Sequence, residues 1–256
     1  MLLEGKKALI MGLANNRSIA YGIAASLREH GARLAFNYVG DAIKKRVEPL
    51  SAELGGDFTF QCDVTSEEQI ENAASIVREK WGQLDILVHS VAFANREDLT
   101  GRFINTTRQG FAIAMEVSVY SLTALCRVFE PLFTQNASVI TMTYLGSTKI
   151  IPGYNVMGVA KAALEASVRY LAHDLGPQGV RVNAISAGPI KTLAASAVSS
   201  FKDSYACMAE HSLLRRNVSI QDVGGAAVFL ASDLAHCVTG EVLFVDSGFN
   251  TIGAAK

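Results

Sequence analysis

The stretch Lys7-Ala-Leu-Ile-Met11, continued by Gly12-Leu-Ala-Asn-Asn-Arg-Ser18-Ile19-Ala20-Tyr-Gly22, decides the fold. Its first part has the pattern of a short strand, and a glycine follows at once where that strand ends. From Ser18 to His30 the pattern is helical, with Gly31 just beyond the end. A strand, a glycine turn and a helix in this order are typical of a unit whose backbone N–H groups bind a pyrophosphate. The same pattern also occurs in a tight strand–helix turn that binds nothing.

Strand-like and helix-like segments alternate along the rest of the chain. Six further segments have strand patterns: Arg33–Tyr38, Asp57–Cys62, Leu84–His89, Ser138–Met142, Val180–Ile185 and Glu241–Val245. Five more have helical patterns: Asp41–Leu54, Ser66–Trp81, Arg108–Phe133, Asn155–Leu175 and Ile220–Leu230. Leu84–His89 is continuously apolar apart from Asp85 and His89, as in strands that are covered on both faces. The sequence therefore predicts an α/β fold, a doubly wound parallel seven-stranded sheet of the Rossmann type, in a single domain spanning residues 1–256.

Composition excludes several other classes of protein. The 256 residues are 50% hydrophobic and carry a formal net charge of −1, so we expect neither a nucleic acid nor a membrane surface as partner. The first residues contain no secretory segment, and we expect a cytoplasmic protein. The four cysteines are scattered and the five histidines have no metal-ligand spacing, so we predict neither disulfides nor a metal site.

Residues at the ends of the next strands extend the candidate dinucleotide site. Asp63 follows the third strand, where a carboxylate either accepts a hydrogen bond from an adenine amino group or caps a turn. Ser90 and Val91 follow the fourth strand, and their small side chains would let an adenosine pass closely; an ordinary buried strand end explains them too, but less well. At the end of the second strand, Val39 is neither the acidic residue typical of NAD sites nor the arginine typical of NADP sites. We predict NADH, with NADPH as the less favoured cofactor.

The run Tyr154-Asn-Val-Met-Gly-Val-Ala-Lys161, with Tyr144 ten residues upstream, is the candidate catalytic segment. Seven residues are almost two helical turns, so Tyr154 and Lys161 would share one face, roughly 10 Å apart along the axis. A phenol there can donate a hydrogen bond to a substrate carbonyl while the lysine holds a cofactor sugar. The same spacing occurs by chance on ordinary amphipathic helices.

With these residues the chain resembles the short-chain dehydrogenase/reductase superfamily over its whole length, and more narrowly the bacterial enoyl-[acyl-carrier-protein] reductases of type II fatty acid synthesis. The ordinary superfamily pattern, Tyr-x-x-x-Lys with an upstream serine, is absent because Met157 stands four residues before Lys161. Tyr154 and Lys161 instead match the Tyr-x6-Lys of the enoyl reductases. The segments Gly188–Ala194 and Val245–Phe249 match the same subfamily.

The resemblance implies an NADH-dependent oxidoreductase of fatty acid biosynthesis that acts on trans-2-enoyl chains carried by acyl carrier protein. Tyr154 would donate a hydrogen bond to the thioester carbonyl, Lys161 would bind the nicotinamide ribose, Tyr144 would lie in the active site and Ala94 would border the acyl thioester. The predicted contacts to the dinucleotide are Gly12, Ser18, Ile19, Val39, Asp63, Val64, Ser90, Val91, Lys161, Ile190, Lys191, Thr192, Leu193 and Ala194.

The resemblance also implies a homotetramer joined through the two long helices, 108–133 and 155–175. The stretch 192–214 is rich in alanine and serine, and we predict that it is a lid over the substrate, the alternative being a plain pair of amphipathic helices. Two other functions stay open. A short-chain carbonyl or 3-oxoacyl reductase shares the fold, although Met157 argues against it. A non-catalytic dinucleotide sensor would have no need of both tyrosines and the lysine.

Overall fold

The computed structural model describes residues 1–193, 195 and 201–253, without the side chain of Lys202. Within these residues the centre of the molecule is a seven-stranded sheet in which every neighbouring pair of strands is parallel. The strands are β1 (Lys7–Met11), β2 (Arg33–Tyr38), β3 (Gly56–Gln61), β4 (Leu84–His89), β5 (Phe133–Thr143), β6 (Arg181–Ala187) and β7 (Val242–Val245). Their order is β3-β2-β1-β4-β5-β6-β7, so the direction of winding reverses between β1 and β4. The predicted doubly wound sheet is confirmed.

Eight α-helices are described in this part of the chain and cover the two faces of the sheet. They are α1 (Ile19–Glu29), α2 (Gly40–Glu53), α3 (Glu67–Trp81), α4 (Arg108–Met115), α5 (Ser121–Phe129), α6 (Val156–Leu175), α7 (Phe201–His211) and α8 (Ile220–Ala231). Alternate residues of β1 enter opposite cores, because successive side chains of a strand point to opposite faces. Ala8 and Ile10 lie in the core with α1 and α8, whereas Leu9 and Met11 lie in the core with α3, α5 and α6.

The long helix predicted over Arg108–Phe133 is interrupted. A π-helical turn, Glu116–Tyr120, separates α4 from α5, and β5 already begins at Phe133. Ser121 Oγ donates to the carbonyl of Val117 at 2.7 Å, a side-chain bond that competes with the regular helical pattern. Turns of this kind are frequent at functional sites because they re-aim side chains, and this one directs Ser118 inward.

The segment Arg108–Leu132 is also, by length and composition, the one described helical stretch apolar enough to cross a membrane. In the fold it packs beside α3 and α6, and 44% of its most apolar window is buried. The core helix of a globular domain meets the same criterion.

Two glycines bring α1 and α8 into backbone contact. A Cβ on Gly22 would lie 2.4 Å from the carbonyl oxygen of Ile220, and a Cβ on Gly224 would lie 2.1 Å from Ser26 Oγ. No residue with a side chain fits at either position without a shift. Because α1 follows β1 directly, its beginning lies beside the reversal point of the sheet, where ligands bind in open α/β folds.

The four cysteines are free and differ in their surroundings. Cys62 and Cys126 are buried, and burial raises the pKa of each thiol to about 12. Cys207 is partly exposed on α7, and Cys237 is exposed.

Candidate active site

The exit of β1 approaches the exit of β4 so closely that only glycine fits. Gly12 has φ +98°, and a Cβ there would lie 2.2 Å from the carbonyl oxygen of Ser90. The predicted cofactor residues Gly12, Ser90 and Val91 are therefore neighbours in space. The result is a cradle formed mainly by backbone, with the Val91 side chain beside it, at the reversal point of the sheet.

Asn37 ties three strand ends together at this cradle. The buried side chain accepts a hydrogen bond from the Gly12 N–H at 2.8 Å and donates to the carbonyl of Cys62 at 2.9 Å. Asn37 is not among the residues predicted from the sequence. Its only signal was a polar side chain in the otherwise apolar strand Leu-Ala-Phe-Asn-Tyr.

The N-terminus of α1 is open to a ligand. Ser18 occupies the N-cap position, yet its hydroxyl donates back to the carbonyl of Asn15 at 2.6 Å instead of capping the helix. The first turn of α1 holds no acidic residue. Uncapped N–H groups and the positive end of the helix dipole bind anions such as a pyrophosphate. Together with the glycine cradle, these residues fit the predicted dinucleotide.

Other predicted cofactor residues take various positions around this end of the sheet. Asp63 Oδ1 accepts from both the N–H and the hydroxyl of Thr65, which is the turn role anticipated for it; an adenine contact stays a prediction. The remaining described candidates are Ile19, partly exposed; Val39, 46% exposed; Val64 and Ile190, both buried; Lys191, exposed; Thr192, partly exposed; and Leu193, exposed. Ala194 lies outside the described residues.

The two candidate tyrosines are in contact. The ring centres of Tyr144 and Tyr154 lie 5.0 Å apart with an interplanar angle of 75°, an edge-to-face arrangement. Because α6 begins only at Val156 and Asn155 has φ +41°, the helical spacing assumed between Tyr154 and Lys161 does not hold over its first residues. Lys161 is 5% exposed, and its Nζ donates to the carbonyl of Met142 at 2.8 Å.

Burial sets the protonation of these groups. It raises the pKa of Tyr154, assisted by Tyr144 and Glu165, so this phenol keeps its proton far above neutral pH. Burial, with a smaller contribution from Cys207, raises the pKa of Tyr144 to about 12. Burial lowers the pKa of Lys161 to about 8, against the opposing charge of Glu165. The lysine is therefore the group whose charge changes near physiological pH.

Gly146 leaves room for the ring of Tyr154. A Cβ on Gly146 would lie 2.4 Å from Tyr154 Cδ1, and the carbonyl of Gly146 would be 2.8 Å from a Cβ on Gly158. The ring therefore packs directly on backbone, which fixes where its hydroxyl points.

Replacing Gly146 by alanine is expected to displace that ring and lower kcat by about tenfold, because catalytic groups displaced by even an ångström lose much of their effect. Steady-state kinetics measure the change. Gly176→Ala is the matched control, since it has neither a positive φ nor an atom within 4 Å of its Cβ. Equal rates for the two variants would contradict the role given to Gly146.

A cavity of about 300 Å³ opens in front of Tyr144. Its wall is mainly apolar and includes Leu145, Ile151, Pro152, Met208 and Phe249, with Cys207 on the α7 side. Ala94, the predicted substrate neighbour, is not part of this wall; it packs against the core, and its substrate contact stays a prediction. Phe93, the residue before Ala94, is held by Ser118: the Phe93 N–H donates a hydrogen bond to Ser118 Oγ at 3.0 Å.

Fold and site together define a single-domain, dinucleotide-dependent oxidoreductase of the short-chain type. The sequence model of the family described as "Enoyl-(Acyl carrier protein) reductase" matches residues 12–250. The chain accordingly belongs to the enoyl-(acyl carrier protein) reductase family, as the resemblance predicted.

Individual members of this family match the chain over nearly its whole length. A Rhizobium meliloti protein named enoyl-[acyl-carrier-protein] reductase [NADH] 1 is 53% identical over 252 residues, which cover 98% of this chain and 93% of that protein. The crystal structure of the Aquifex aeolicus enoyl-[acyl-carrier-protein] reductase (NADH) superposes with a TM-score of 0.97 at 49% identity and covers 100% of both chains. An Anaplasma phagocytophilum reductase crystallised with NAD has a TM-score of 0.95 at 46% identity, covering 100% of this chain and 96% of that one.

Proposed function

We propose that the protein reduces the 2,3 double bond of a trans-2-enoyl thioester on acyl carrier protein, with NADH as the reductant. The observation that carries the proposal is the edge-to-face pair of Tyr144, which lines an apolar cavity, and Tyr154 behind it, in a family member without the Tyr-x-x-x-Lys of carbonyl reductases. Relatives that are about half identical over nearly their full length are named as NADH-dependent enoyl-[acyl-carrier-protein] reductases.

Tyr154 acts where charge develops. When bound, NADH supplies the hydride to the β-carbon of the substrate. Negative charge then grows on the thioester oxygen, and a phenol already placed there as a hydrogen-bond donor stabilises the enolate more than the ground state. The raised pKa of Tyr154 suits a donor, because the proton stays on the phenol throughout the working pH range. Protonation at the α-carbon completes the reduction.

Lys161 and Tyr144 support this donor. The Lys161 ammonium holds the ribose hydroxyls and adds positive charge near the developing enolate. Tyr144 packs edge-on against Tyr154 and lines the cavity, so it both fixes that ring and borders the acyl chain. The apolar wall of the cavity suits a hydrocarbon chain rather than a polar substrate.

NADH is proposed over NADPH because Val39, at the end of β2, supplies no positive charge for a 2′-phosphate. The names of the relatives support the same choice.

A lid over the acyl chain remains part of the proposal. The lid was predicted over 192–214, and residues 194 and 196–200 lie outside the described residues. Supporting it, α7 contributes Cys207 and Met208 to the cavity wall, and Lys191 Nζ lies 4.4 Å from the centre of the Tyr205 ring. Slower amide exchange over 201–211 on adding cofactor and a saturated acyl thioester would support a lid; unchanged exchange would favour a plain helix.

The homotetramer predicted through helices 108–133 and 155–175 is supported by exposed apolar side chains. They are Phe111, Tyr120, Val159 and Tyr170 on α4 to α6, and Phe229 and Phe244 on α8 and β7. Two separate apolar faces are what closed dihedral assemblies require. Sedimentation at micromolar concentration distinguishes four chains from one. A cytoplasmic location, expected from the sequence, completes the proposal.

The test is turnover of purified protein with NADH and a short trans-2-enoyl thioester, followed by loss of the reduced nicotinamide signal. We expect activity with NADH, at least tenfold less with NADPH, and none with a 3-oxoacyl thioester. Activity on the 3-oxoacyl substrate alone would establish the carbonyl reductase. Tight NADH binding without turnover of either substrate would establish the sensor.

A further inference from the structure

A buried carboxylate lies one helical turn beyond the buried lysine. Glu165 is four residues after Lys161 on α6 and only 8% exposed. Its Oε1 accepts a hydrogen bond of 2.6 Å from the Thr143 hydroxyl. Lys161 Nζ donates to the carbonyl of Met142, the residue just before Thr143. Both charged side chains are thus anchored on consecutive residues at the end of β5, directly before Tyr144.

The other titratable groups around this lysine carry no charge. His89, at the end of β4, is fully buried between the hydroxyls of Thr141 and Ser121, at 2.8 and 2.9 Å from its two ring nitrogens. Ser121 Oγ donates to the Val117 carbonyl, so it accepts from His89 Nε2–H. Burial, assisted by the charge of Lys161, lowers the pKa of His89 to about 3.

The tyrosines on the substrate side are neutral as well, since burial raises the pKa of both Tyr144 and Tyr154. Glu165 is therefore the anion that faces Lys161 among the described groups acting on it. A buried carboxylate is costly unless it is hydrogen-bonded and balanced by an opposite charge. Thr143 provides the hydrogen bond, and Lys161, one helical turn back on α6, supplies the opposite charge without a direct ion pair.

We propose that Glu165 is a positioning residue that acts through Lys161: its carboxylate, held by Thr143, keeps the buried ammonium at the end of β5, where it meets the cofactor ribose. The inference deepens the proposed function and rests on the role given there to Lys161.

The expected pH dependence follows from how burial and Glu165 each change the pKa of Lys161. Burial lowers the pKa of Lys161 to about 8, and the charge of Glu165 raises it. The ammonium is present below that pH and is lost as the pH rises through it. Without the Glu165 carboxylate, Lys161 loses its proton at lower pH, and the neutral amine holds the ribose hydroxyls less well.

The test is Glu165→Gln, whose amide oxygen still accepts from Thr143 but carries no charge. The NADH dissociation constant, from nicotinamide fluorescence, and kcat/KM are measured between pH 6 and 9.5. In the wild type, NADH affinity and kcat/KM should both fall at alkaline pH as Lys161 loses its proton. In the variant, we expect this alkaline limb of both pH profiles to lie about one pH unit lower. Near pH 6 the variant should bind NADH like the wild type, whereas near pH 8 binding should weaken several-fold.

The matched control uses a cation that does not titrate. Arginine stays charged throughout this range, so in a Lys161→Arg background the added Glu165→Gln change should leave the NADH-binding profile where it was. A downward shift in the lysine background only supports the proposal. An equal shift in both backgrounds, or an unmoved limb with a lowered unfolding temperature, overturns it and leaves a structural tie between α6 and β5.

Should Glu165→Gln fail to fold, the Thr143→Val variant tests the proposal by the same measurement, the pH dependence of NADH binding and kcat/KM. It removes the hydroxyl that holds the carboxylate while keeping the side-chain shape, and it should move the limb downward by a smaller amount; no movement overturns the proposal. NADH binding needs no acyl substrate, so failure of the proposed function appears separately, as absent turnover by the wild type.

Discussion

Tyr154→Phe is expected to lower kcat by about 10²–10³, the usual loss when one donor to a developing oxyanion is removed. At 1.36 kcal/mol per tenfold, this corresponds to about 3–4 kcal/mol of transition-state stabilisation. The NADH dissociation constant and the unfolding temperature should hardly change, because the edge-to-face contact with Tyr144 needs the ring and not its hydroxyl. Steady-state kinetics with an enoyl thioester, together with a binding titration, separate these quantities.

The control for this variant is Tyr21→Phe, which removes a phenol bonded to Glu53 on the surface between α1 and α2. It should retain wild-type rates. The pH profile offers a second check. Since the pKa of Tyr154 is raised, its loss should reduce the rate without moving the alkaline limb, which belongs to Lys161. A Tyr154→Phe rate within threefold of wild type would remove Tyr154 from the chemistry.

Gly12→Ala is expected to abolish tight cofactor binding and to lower stability by roughly 3 kcal/mol. An alanine at φ +98° costs about 1–2 kcal/mol by itself. Its Cβ would also lie 2.2 Å from the Ser90 carbonyl oxygen, so the exits of β1 and β4 must separate, and overpacking of this kind costs about 1–3 kcal/mol. The separation also disturbs the Gly12–Asn37 bond, which shapes the cradle. Thermal unfolding and NADH titration measure the two losses.

Gly5→Ala isolates the conformational part of that cost. Gly5 has φ +71° and no atom within 4 Å of an added Cβ, and it precedes β1 at the far end of the strand. It should lose about 1 kcal/mol of stability and bind NADH normally. If Gly12→Ala were no worse than Gly5→Ala, the close approach of the two strand ends would have no functional meaning.

Much of the architecture was predictable because both covered faces of the sheet impose long apolar runs. β1, β2 and β4 begin and end where the sequence placed them. β3 begins one residue early, and β5 extends further at both ends than its apolar centre Ser138–Met142 suggested, because it also includes polar residues such as Thr134 and Asn136. The interruption of 108–133 was not predictable, since a π-helical turn depends on where Ser118 and Ser121 find partners in space.

The site divides in the same way. Gly12, Tyr144, Tyr154 and Lys161 carry local motifs and could be singled out from the sequence. Asn37 and Glu165 could not, because the hydrogen-bond partner of each, Gly12 for Asn37 and Thr143 for Glu165, lies more than twenty residues away along the chain. A lone polar residue in a strand, or an acid within a helix, is indistinguishable from a surface residue until the fold shows that it is buried.

The contrast among the four thiols makes the cavity chemically addressable. Alkylating reagents react with the thiolate, and Cys62 and Cys126 are buried with raised pKa values. These two thiols should therefore remain unmodified. Replacing exposed Cys237 by serine leaves Cys207, in the cavity wall near Tyr144, as the thiol that a small reagent reaches. A reporter group attached there would record occupancy of this cavity without any turnover.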